Sequence, residues 1–336
     1  MAELRWNPLI NDWVMINSNR QIRPNMSKGY CPFCHGSERV PDNYDVLKYD
    51  NDFPALSQNP PEPDNIIVAD SKIYSVKPMY GKCEVILFSP DHESSFCEFP
   101  ISHTKKIVDL WTERFIEISK DSNIKYVFIF ENRGELVGVT QLHPHGQIYG
   151  YSVIPKKIEL EINCFREYYD SHNSCMFCGI NSEEIKFNQR IVYENEDFIV
   201  YVPFFAEYVY QVYIASKAHK SSITQFNESE KNNFALTLKM VTGMYDSLFN
   251  KKFPYMMCMH NAPVNYKDLD KSDKFFHFHV EFYTPLRADN IQQFNASSET
   301  GVWAHCNPSA PEDKAEELRE SLKRFNEKQE KITWQY

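Results

Sequence analysis

The sequence repeats one series of possible metal ligands, and this repeat constrains the fold more than any other feature. In each half of the chain, a C-x-x-C pair is followed by a histidine and later by an H-x-H motif. The two series are Cys31, Cys34, His92 and His143, and Cys175, Cys178, His219 and His277. Because four residues recur in one order at similar spacings, the pattern indicates an internal duplication.

The segments between these ligands also repeat. Strand patterns over residues 83–90 and 210–223 come before apolar residues at helical spacing over 101–120 and 227–249. The H-x-H motif then lies in a further strand pattern in each half. Residues 311–331 form a polar helix with acidic residues early and basic residues late, which we expect to be a solvated surface helix.

Charge and cysteine content argue against several classes of protein. A formal net charge of −10 and a pI of about 5.6 disfavour binding to nucleic acid, which needs a basic surface. We find no apolar run near the roughly 18 residues of a membrane span, and no signal-peptide pattern, so we expect a cytoplasmic protein. The nine cysteines are an odd number, and the two C-x-x-C pairs favour metal thiolates or reduced thiols over disulfides.

The first ligand series predicts a zinc site. Two cysteines and two histidines (Cys31, Cys34, His92 and His143) suit a tetrahedral structural zinc ion. The alternative is a set of free buried cysteines with unrelated histidines, which the recurrence of the series disfavours.

The stretch H-P-H-G-Q predicts a reactive histidine beside the metal. In a strand, His143 and His145 lie on the same side, so one can hold metal while the other points into a cleft. Gly146 then makes room for a ligand, and Gln147 offers a neutral donor to a phosphoryl oxygen. A neutral His145 can attack phosphorus and form a covalent N–P intermediate. Two histidines that are merely satisfied core residues are the plainer alternative.

This motif resembles the active-site signature of the galactose-1-phosphate uridylyltransferases, a branch of the histidine-triad superfamily. The resemblance covers nearly the whole chain and includes R-W-N-P-L, N-D-F-P-A-L, F-E-N-R-G and F-H-F-H-V-E-F. It implies a ping-pong reaction in which UDP-glucose leaves a uridylyl group on His145 and galactose 1-phosphate then accepts it. The products are glucose 1-phosphate and UDP-galactose.

The same resemblance implies roles for individual residues. Gln147 steadies the phosphoryl group, and Thr140 keeps the hydroxyl of a serine found in well-known members. Substrate contacts are implied for Arg20, Arg23, Asn51, Asp52, Asn132, Phe294 and Glu299. His305 stands where the family has a glutamine that touches the sugar, which puts the identity of the hexose in question.

For a second metal, the resemblance leaves two ligand sets open. Some members use a glutamate and three histidines, and others use the repeated cysteine pair. The two sets are Glu161, His260, His277 and His279, and Cys175, Cys178, His219 and His277. The duplication and the affinity of thiolates for zinc favour the second set.

The duplication and the resemblance together predict an α+β fold. We expect two fused histidine-triad-like halves, at residues 1–165 and 166–310, with antiparallel sheets and flanking helices, and a helical tail at 311–336. The resemblance also implies a homodimer with its active site near the subunit boundary. The alternative functions are a related phosphorylase acting on ADP-glucose, and a zinc-stabilised binding module.

Overall fold

The computed structural model describes residues 2–18, 31–63, 68–266 and 272–333. Its strands are β1 (Ala2–Asn7), β2 (Asp12–Asn17), β3 (Leu47–Asp50), β4 (Val76–Pro78), β5 (Gly81–Leu87), β6 (Tyr126–Arg133), β7 (His145–Tyr151), β8 (Ile191–Glu194), β9 (Phe198–Tyr201), β10 (Val212–Ser216), β11 (Tyr255–His260), β12 (His279–Tyr283), β13 (Leu286–Ala288) and β14 (Ile291–Gln292). Its α-helices are α1 (Ile101–Ser119), α2 (Lys156–His172), α3 (Met176–Phe187), α4 (Glu228–Leu248), α5 (Ser272–Phe275), α6 (Ser297–Val302) and α7 (Pro311–Thr333).

Within these residues, nine strands form one antiparallel sheet in the order β3-β5-β7-β6-β11-β12-β10-β9-β8. The two halves meet where β6 pairs with β11, from Tyr255 opposite Arg133 to Met259 opposite Ile129. On either side of this seam the order of elements repeats, with β7 matching β12 and β5 matching β10. The predicted α+β fold of two fused halves is therefore confirmed, whereas the exact domain boundaries stay a prediction.

One face of the sheet carries the main core. Side chains that alternate along its strands are fully buried against α1 and α4, namely Val127, Ile129, Ile148, Met257 and Val280. Helix α4 begins at a capping box in which Asn227 and Glu230 exchange side-chain and backbone hydrogen bonds. The predicted helices over 101–120 and 227–249 thus match α1 and α4 closely.

Helix α7 corrects the expectation of a solvated tail. Ala315, Leu318 and Leu322 are buried, and the helix packs lengthwise on α4. The approach is close, since a Cβ on Gly243 would lie 2.4 Å from the Phe325 ring. The apolar stripe is narrow among many charged residues, which is why composition alone suggested a surface helix.

The opposite face of the sheet carries the polar residues of interest, and α2 and α3 cover part of it. Strand β7 begins at His145 rather than before it, so His143 lies in the preceding bend. Gly146 faces the helix side, where a Cβ would lie 2.8 Å from the Phe88 ring. The interpretation that Gly146 makes room for a ligand is therefore wrong; it makes room for Phe88.

No helix among the described residues is long and apolar enough to cross a membrane.

Candidate active site and metal centres

The first ligand series converges on one point. Sγ of Cys34 lies 3.3 Å from Nδ1 of His92 and 3.7 Å from Nδ1 of His143, and Sγ of Cys31 lies 3.7 Å from the same His143 atom. Ordinary zinc bond lengths in a tetrahedral site place sulfur and nitrogen ligands about 3.6 Å apart. These four residues therefore have the chemistry and the spacing of a four-coordinate metal site.

Polar neighbours orient the ligands of this cluster. Nε2 of His143 lies 2.8 Å from the Ser89 carbonyl oxygen and 2.9 Å from the Tyr44 hydroxyl, so Nδ1 points at the cysteines. Nε2 of Gln141 donates to Sγ of Cys31 at 2.7 Å. Burial lowers the pKa of His143 to about 4, which keeps its imidazole neutral, as a metal ligand must be. Burial also raises the pKa of the Cys34 thiol to about 11, so a cation would be needed to hold it as a thiolate.

The second series converges in the same way. Sγ of Cys178 lies 3.4 Å from Nδ1 of both His219 and His277, and Sγ of Cys175 lies 3.8 Å from Nδ1 of His277. Nε2 of His277 lies 2.9 Å from the Ser216 carbonyl oxygen, as His143 lies near Ser89. The C-x-x-C pair opens helix α3, where the helix dipole favours thiolates. The duplication therefore extends to the hydrogen bonds of the ligands.

The alternative ligand set is not brought together. His277 turns its Nδ1 toward the cysteines because its Nε2 is held by Ser216, so it does not join Glu161, His260 and His279. Those three residues gather around Glu281 instead. The structure therefore does not form the alternative set with His277 and brings together the favoured cysteine set instead.

This third cluster is already paired within the chain. Nδ1 of His260 lies 2.9 Å from Glu161, and its Nε2 lies 3.4 Å from Glu281. The Lys157 ammonium lies 2.6 Å from Glu281. The facing carboxylates hold the pKa of His260 above its usual value, even though burial opposes this.

His145 is held in a defined orientation at the start of β7. Its Nδ1 donates to the carbonyl oxygen of His143 at 2.7 Å. This bond favours the neutral tautomer in which Nε2 carries the lone pair. Because Gln147 follows two residues later, its side chain lies on the same face, and the Tyr149 hydroxyl donates to its Oε1 at 3.0 Å. With Oε1 engaged, the amide NH₂ of Gln147 is the group that can donate to a ligand.

A cavity of about 170 Å³ opens beside His145. Polar residues line it together with His145, among them Asn132, Arg133, Gln141, Lys252, Glu93, Ser94 and Ser95. The buried carboxyl of Glu131 also reaches this cavity and accepts a hydrogen bond from the Tyr255 hydroxyl at 3.0 Å. The cavity therefore places hydrogen-bonding groups beside His145, and the charges of Arg133 and Lys252 are paired with Asp246 and Glu93.

Other residues with implied substrate contacts lie apart from this cavity. Asp52 borders a separate hollow of about 280 Å³ with Phe53, and its carboxylate accepts from the Tyr49 hydroxyl at 3.0 Å. Oδ1 of Asn51 accepts from the backbone nitrogen of Phe53 at 2.9 Å, which closes a turn. Thr140 is exposed in the loop before His143. Arg20 and Arg23 lie outside the described residues.

The residues near the C-terminus for which the resemblance implies substrate contacts lie on an exposed segment. Phe294 is 73% exposed, and Glu299 accepts from the backbone nitrogen of Ala296 at 2.9 Å at the start of α6. Neither residue lines the cavity beside His145. His305 lines a different hollow of about 600 Å³ on the open face of the sheet, together with Trp303.

Sequence reasoning missed several residues that the structure brings to these sites. Tyr44 and Gln141 contact the first cluster, and Lys157 and Glu281 close the third. Glu281 had a signal in the sequence, because it follows His279 at the spacing by which Gln147 follows His145. Tyr44 had none, since it lies in a loop 99 residues before His143.

Comparison with known proteins identifies the family of this chain. Models of the N-terminal and C-terminal domains of galactose-1-phosphate uridyl transferase match residues 30–155 and 161–329. Galactose-1-phosphate uridylyltransferase of Thermotoga maritima is 41% identical over 96% of this chain and 99% of its own length, and that of Saccharomyces cerevisiae is 32% identical over 86% of each. A solved uridylyltransferase structure superposes with a TM-score of 0.86 at 28% identity, covering 96% of this chain and 99% of its own. The chain therefore belongs to the galactose-1-phosphate uridylyltransferase family of nucleotidyltransferases.

Proposed function

We propose that this chain transfers a uridylyl group from UDP-glucose to galactose 1-phosphate through a covalent intermediate on His145. The observation that carries the proposal is the hydrogen bond from Nδ1 of His145 to the His143 carbonyl oxygen. It leaves Nε2 as the attacking atom on a ring that needs no proton removed. The names of the relatives supply the class of substrate.

The first step forms one bond and breaks one. Nε2 of His145 attacks the α-phosphorus of UDP-glucose, and the bond from that phosphorus to the bridging oxygen breaks. Glucose 1-phosphate leaves with the electron pair and needs no proton, because a phosphate oxygen is a good leaving group. The Nδ1–H bond to His143 stabilises the positive charge that develops on the ring.

The second step reverses these roles. A phosphate oxygen of galactose 1-phosphate attacks the same phosphorus, the P–N bond breaks, and the ring regains its electron pair as UDP-galactose leaves. Gln147 donates to the phosphoryl oxygens, Asn132 contacts the nucleotide, Thr140 adds a hydroxyl, and Arg20 and Arg23 supply positive charge. Asn51 and Asp52 contact the uridine.

Each Cys₂His₂ cluster is proposed to hold one zinc ion. The ligand spacing supports this, since it matches a tetrahedral site in both halves. The ion supplies structure rather than chemistry, because four protein ligands leave no open position for substrate. In the first site it fixes His143, whose carbonyl oxygen orients the nucleophile.

The chain is proposed to act as a homodimer. Phe294 and Trp303 are large and exposed, and the segment that carries them with Glu299 does not line the cavity of its own subunit. In a dimer, Phe294 and Glu299 would contact the hexose bound to the other subunit. Sedimentation of the purified chain tests this, and a monomer that keeps full activity would contradict it.

The reaction is tested by mass spectrometry of the intact chain after mixing with UDP-glucose, and in parallel with ADP-glucose. We expect a uridylyl adduct that disappears when galactose 1-phosphate is added, with release of UDP-galactose. An adenylyl adduct in place of the uridylyl adduct would support the phosphorylase alternative. No adduct from either sugar nucleotide would contradict a covalent mechanism.

A further inference from the structure

We propose that Tyr44 is a positioning residue for uridylyl transfer, because its hydroxyl holds the His143 imidazole and the C-x-x-C loop in a fixed relation to His145. This inference rests on the proposed function and adds a residue to it. Tyr44 lies between the C-x-x-C pair and β3, far in sequence from the histidines that it would position.

The Tyr44 hydroxyl lies at the junction of three segments. It is 3.0 Å from the carbonyl oxygen of Phe33 in the C-x-x-C loop and 2.9 Å from that of Ser89 after β5. It is also 2.9 Å from Nε2 of His143. A hydroxyl donates one hydrogen bond and accepts others, so it donates to one of these carbonyls and shares the single Nε2–H of His143 with the Ser89 carbonyl oxygen, which lies 2.8 Å from the same nitrogen.

The Tyr44 hydroxyl is within hydrogen-bond distance of two carbonyl oxygens and one ring nitrogen, so Tyr44→Phe would remove three contacts and keep the aromatic ring. A partner for the second ring nitrogen of a ligating histidine fixes the orientation of the ring.

The backbone carries this constraint from His143 to His145. The carbonyl oxygen of His143 accepts from Nδ1 of His145 at 2.7 Å, and that of Pro144 accepts from the backbone nitrogen of Phe88 at 3.0 Å. Because the His143 ring and this carbonyl belong to one residue, a shift of residue 143 after loss of the Tyr44 contacts would also move the carbonyl that orients His145.

The second half of the chain offers an internal comparison. There, the carbonyl oxygen of Ser216 lies 2.9 Å from Nε2 of His277, and the Ser216 hydroxyl lies 3.1 Å from the same atom. Both groups belong to one residue, so this hydroxyl adds no link between separate segments. The bridging hydroxyl thus occurs in the half that carries the proposed nucleophile.

The test compares Tyr44→Phe with Tyr245→Phe. Tyr245 is the control, because its hydroxyl also donates to a backbone carbonyl, that of Tyr210, at 2.8 Å, and it lies outside the first cluster; Tyr245 is fully buried, whereas Tyr44 is half-buried. The measurements are the rate of adduct formation in a single turnover with UDP-glucose, the KM for UDP-glucose, zinc loss to a chelator, and thermal unfolding.

For Tyr44→Phe we expect adduct formation to slow and zinc to leave more readily, each by about 10- to 100-fold, with little change in KM. For Tyr245→Phe we expect a loss of thermal stability alone. A Tyr44→Phe protein with the wild-type rate and zinc retention would overturn the inference. The inference would also be overturned if the two variants lost the same thermal stability and the rate of adduct formation fell by the same factor in both.

Two further measurements test the inference if Tyr44→Phe cannot be studied or if the proposed function itself fails. If Tyr44→Phe does not fold, 4-aminophenylalanine at position 44 keeps the ring and a donor to the carbonyls but is a poor acceptor for the His143 N–H, so we expect a folded protein in which adduct formation is still slow. A folded protein with the wild-type rate would overturn the inference. The wild-type chain separates the two proposals, because absence of an adduct there refutes the proposed function itself.

Discussion

Gln147 and Glu281 occupy matching positions in the two halves of the sheet. Each lies two residues after the second histidine of its H-x-H motif, on the same face of its strand as that histidine. Gln147 presents a neutral amide beside His145, whereas Glu281 is a buried carboxylate paired with Lys157. The two halves therefore share the Cys₂His₂ arrangement but differ at this position, which holds a neutral amide in the first half and an ion-paired carboxylate in the second.

This relationship predicts the effect of exchanging the two side chains. Gln147→Glu would place a negative charge where we propose that the phosphoryl oxygens bind. We expect the rate of adduct formation to fall about 100-fold or more, as when a donor to a developing oxyanion is lost. Glu281→Gln is the control, and we expect it to destabilise the fold by about 1–3 kcal/mol while adduct formation continues. Stopped reactions analysed by mass spectrometry measure both, and an unchanged rate for Gln147→Glu would argue against its contact with phosphate.

The two Cys₂His₂ clusters predict two zinc ions per chain. Cys31→Ser and Cys175→Ser should each remove one ion and lower the unfolding temperature, because structural zinc contributes directly to folding. Cys164→Ser is the control, since Cys164 is an exposed cysteine outside both clusters. Elemental analysis of protein purified without added metal gives the count. Two ions retained in Cys175→Ser would contradict the second site.

Glu131 predicts a pH dependence of stability that is opposite to that of an ordinary carboxylate. Burial raises its pKa from 4.5 to about 7, although Arg133 and the Tyr255 hydroxyl oppose the shift. The unfolded chain therefore ionises this carboxyl more readily than the folded chain does. Its contribution to stability is fully present below pH 4.5 and is lost as the pH rises to about 7.

The free energy of unfolding that Glu131 contributes at low pH follows from the size of its pKa shift and amounts to about 3 kcal/mol. We expect Glu131→Gln to lose this dependence, so that the variant gains stability relative to wild type as the pH rises from about 5 to 7. Urea unfolding of both proteins at several pH values measures the difference. Parallel stability profiles would show that Glu131 ionises normally in the folded chain.

Much of the architecture could be predicted from the sequence because it depends on local spacing. The helices α1 and α4 follow from apolar periodicity, and both Cys₂His₂ clusters follow from a repeated order of ligands. The failures, and the choice that the sequence left open, concern side-chain direction and distant contacts. Gly146 faces Phe88 because alternate strand residues face opposite sides, and His277 joins the cysteines because Ser216 sets its ring.

Tertiary packing explains the remaining differences. Ala315, Leu318 and Leu322 form a narrow apolar stripe on α7. This stripe is buried because Gly243 allows α4 to approach α7 closely. Likewise, the contact of Tyr44 with His143 joins residues that are distant in the sequence, and no local pattern marks it.

The central claim is that His143 anchors and His145 reacts, and substitution of each residue tests it most directly. Mass spectrometry after mixing with UDP-glucose, combined with metal analysis, is the measurement. We expect His145→Gly to remain folded with both metals and to form no uridylyl adduct, because the attacking nitrogen is gone. We expect His143→Ala to lose one metal and stability, with slower adduct formation as a consequence. A uridylyl adduct of normal yield on His145→Gly would contradict the account.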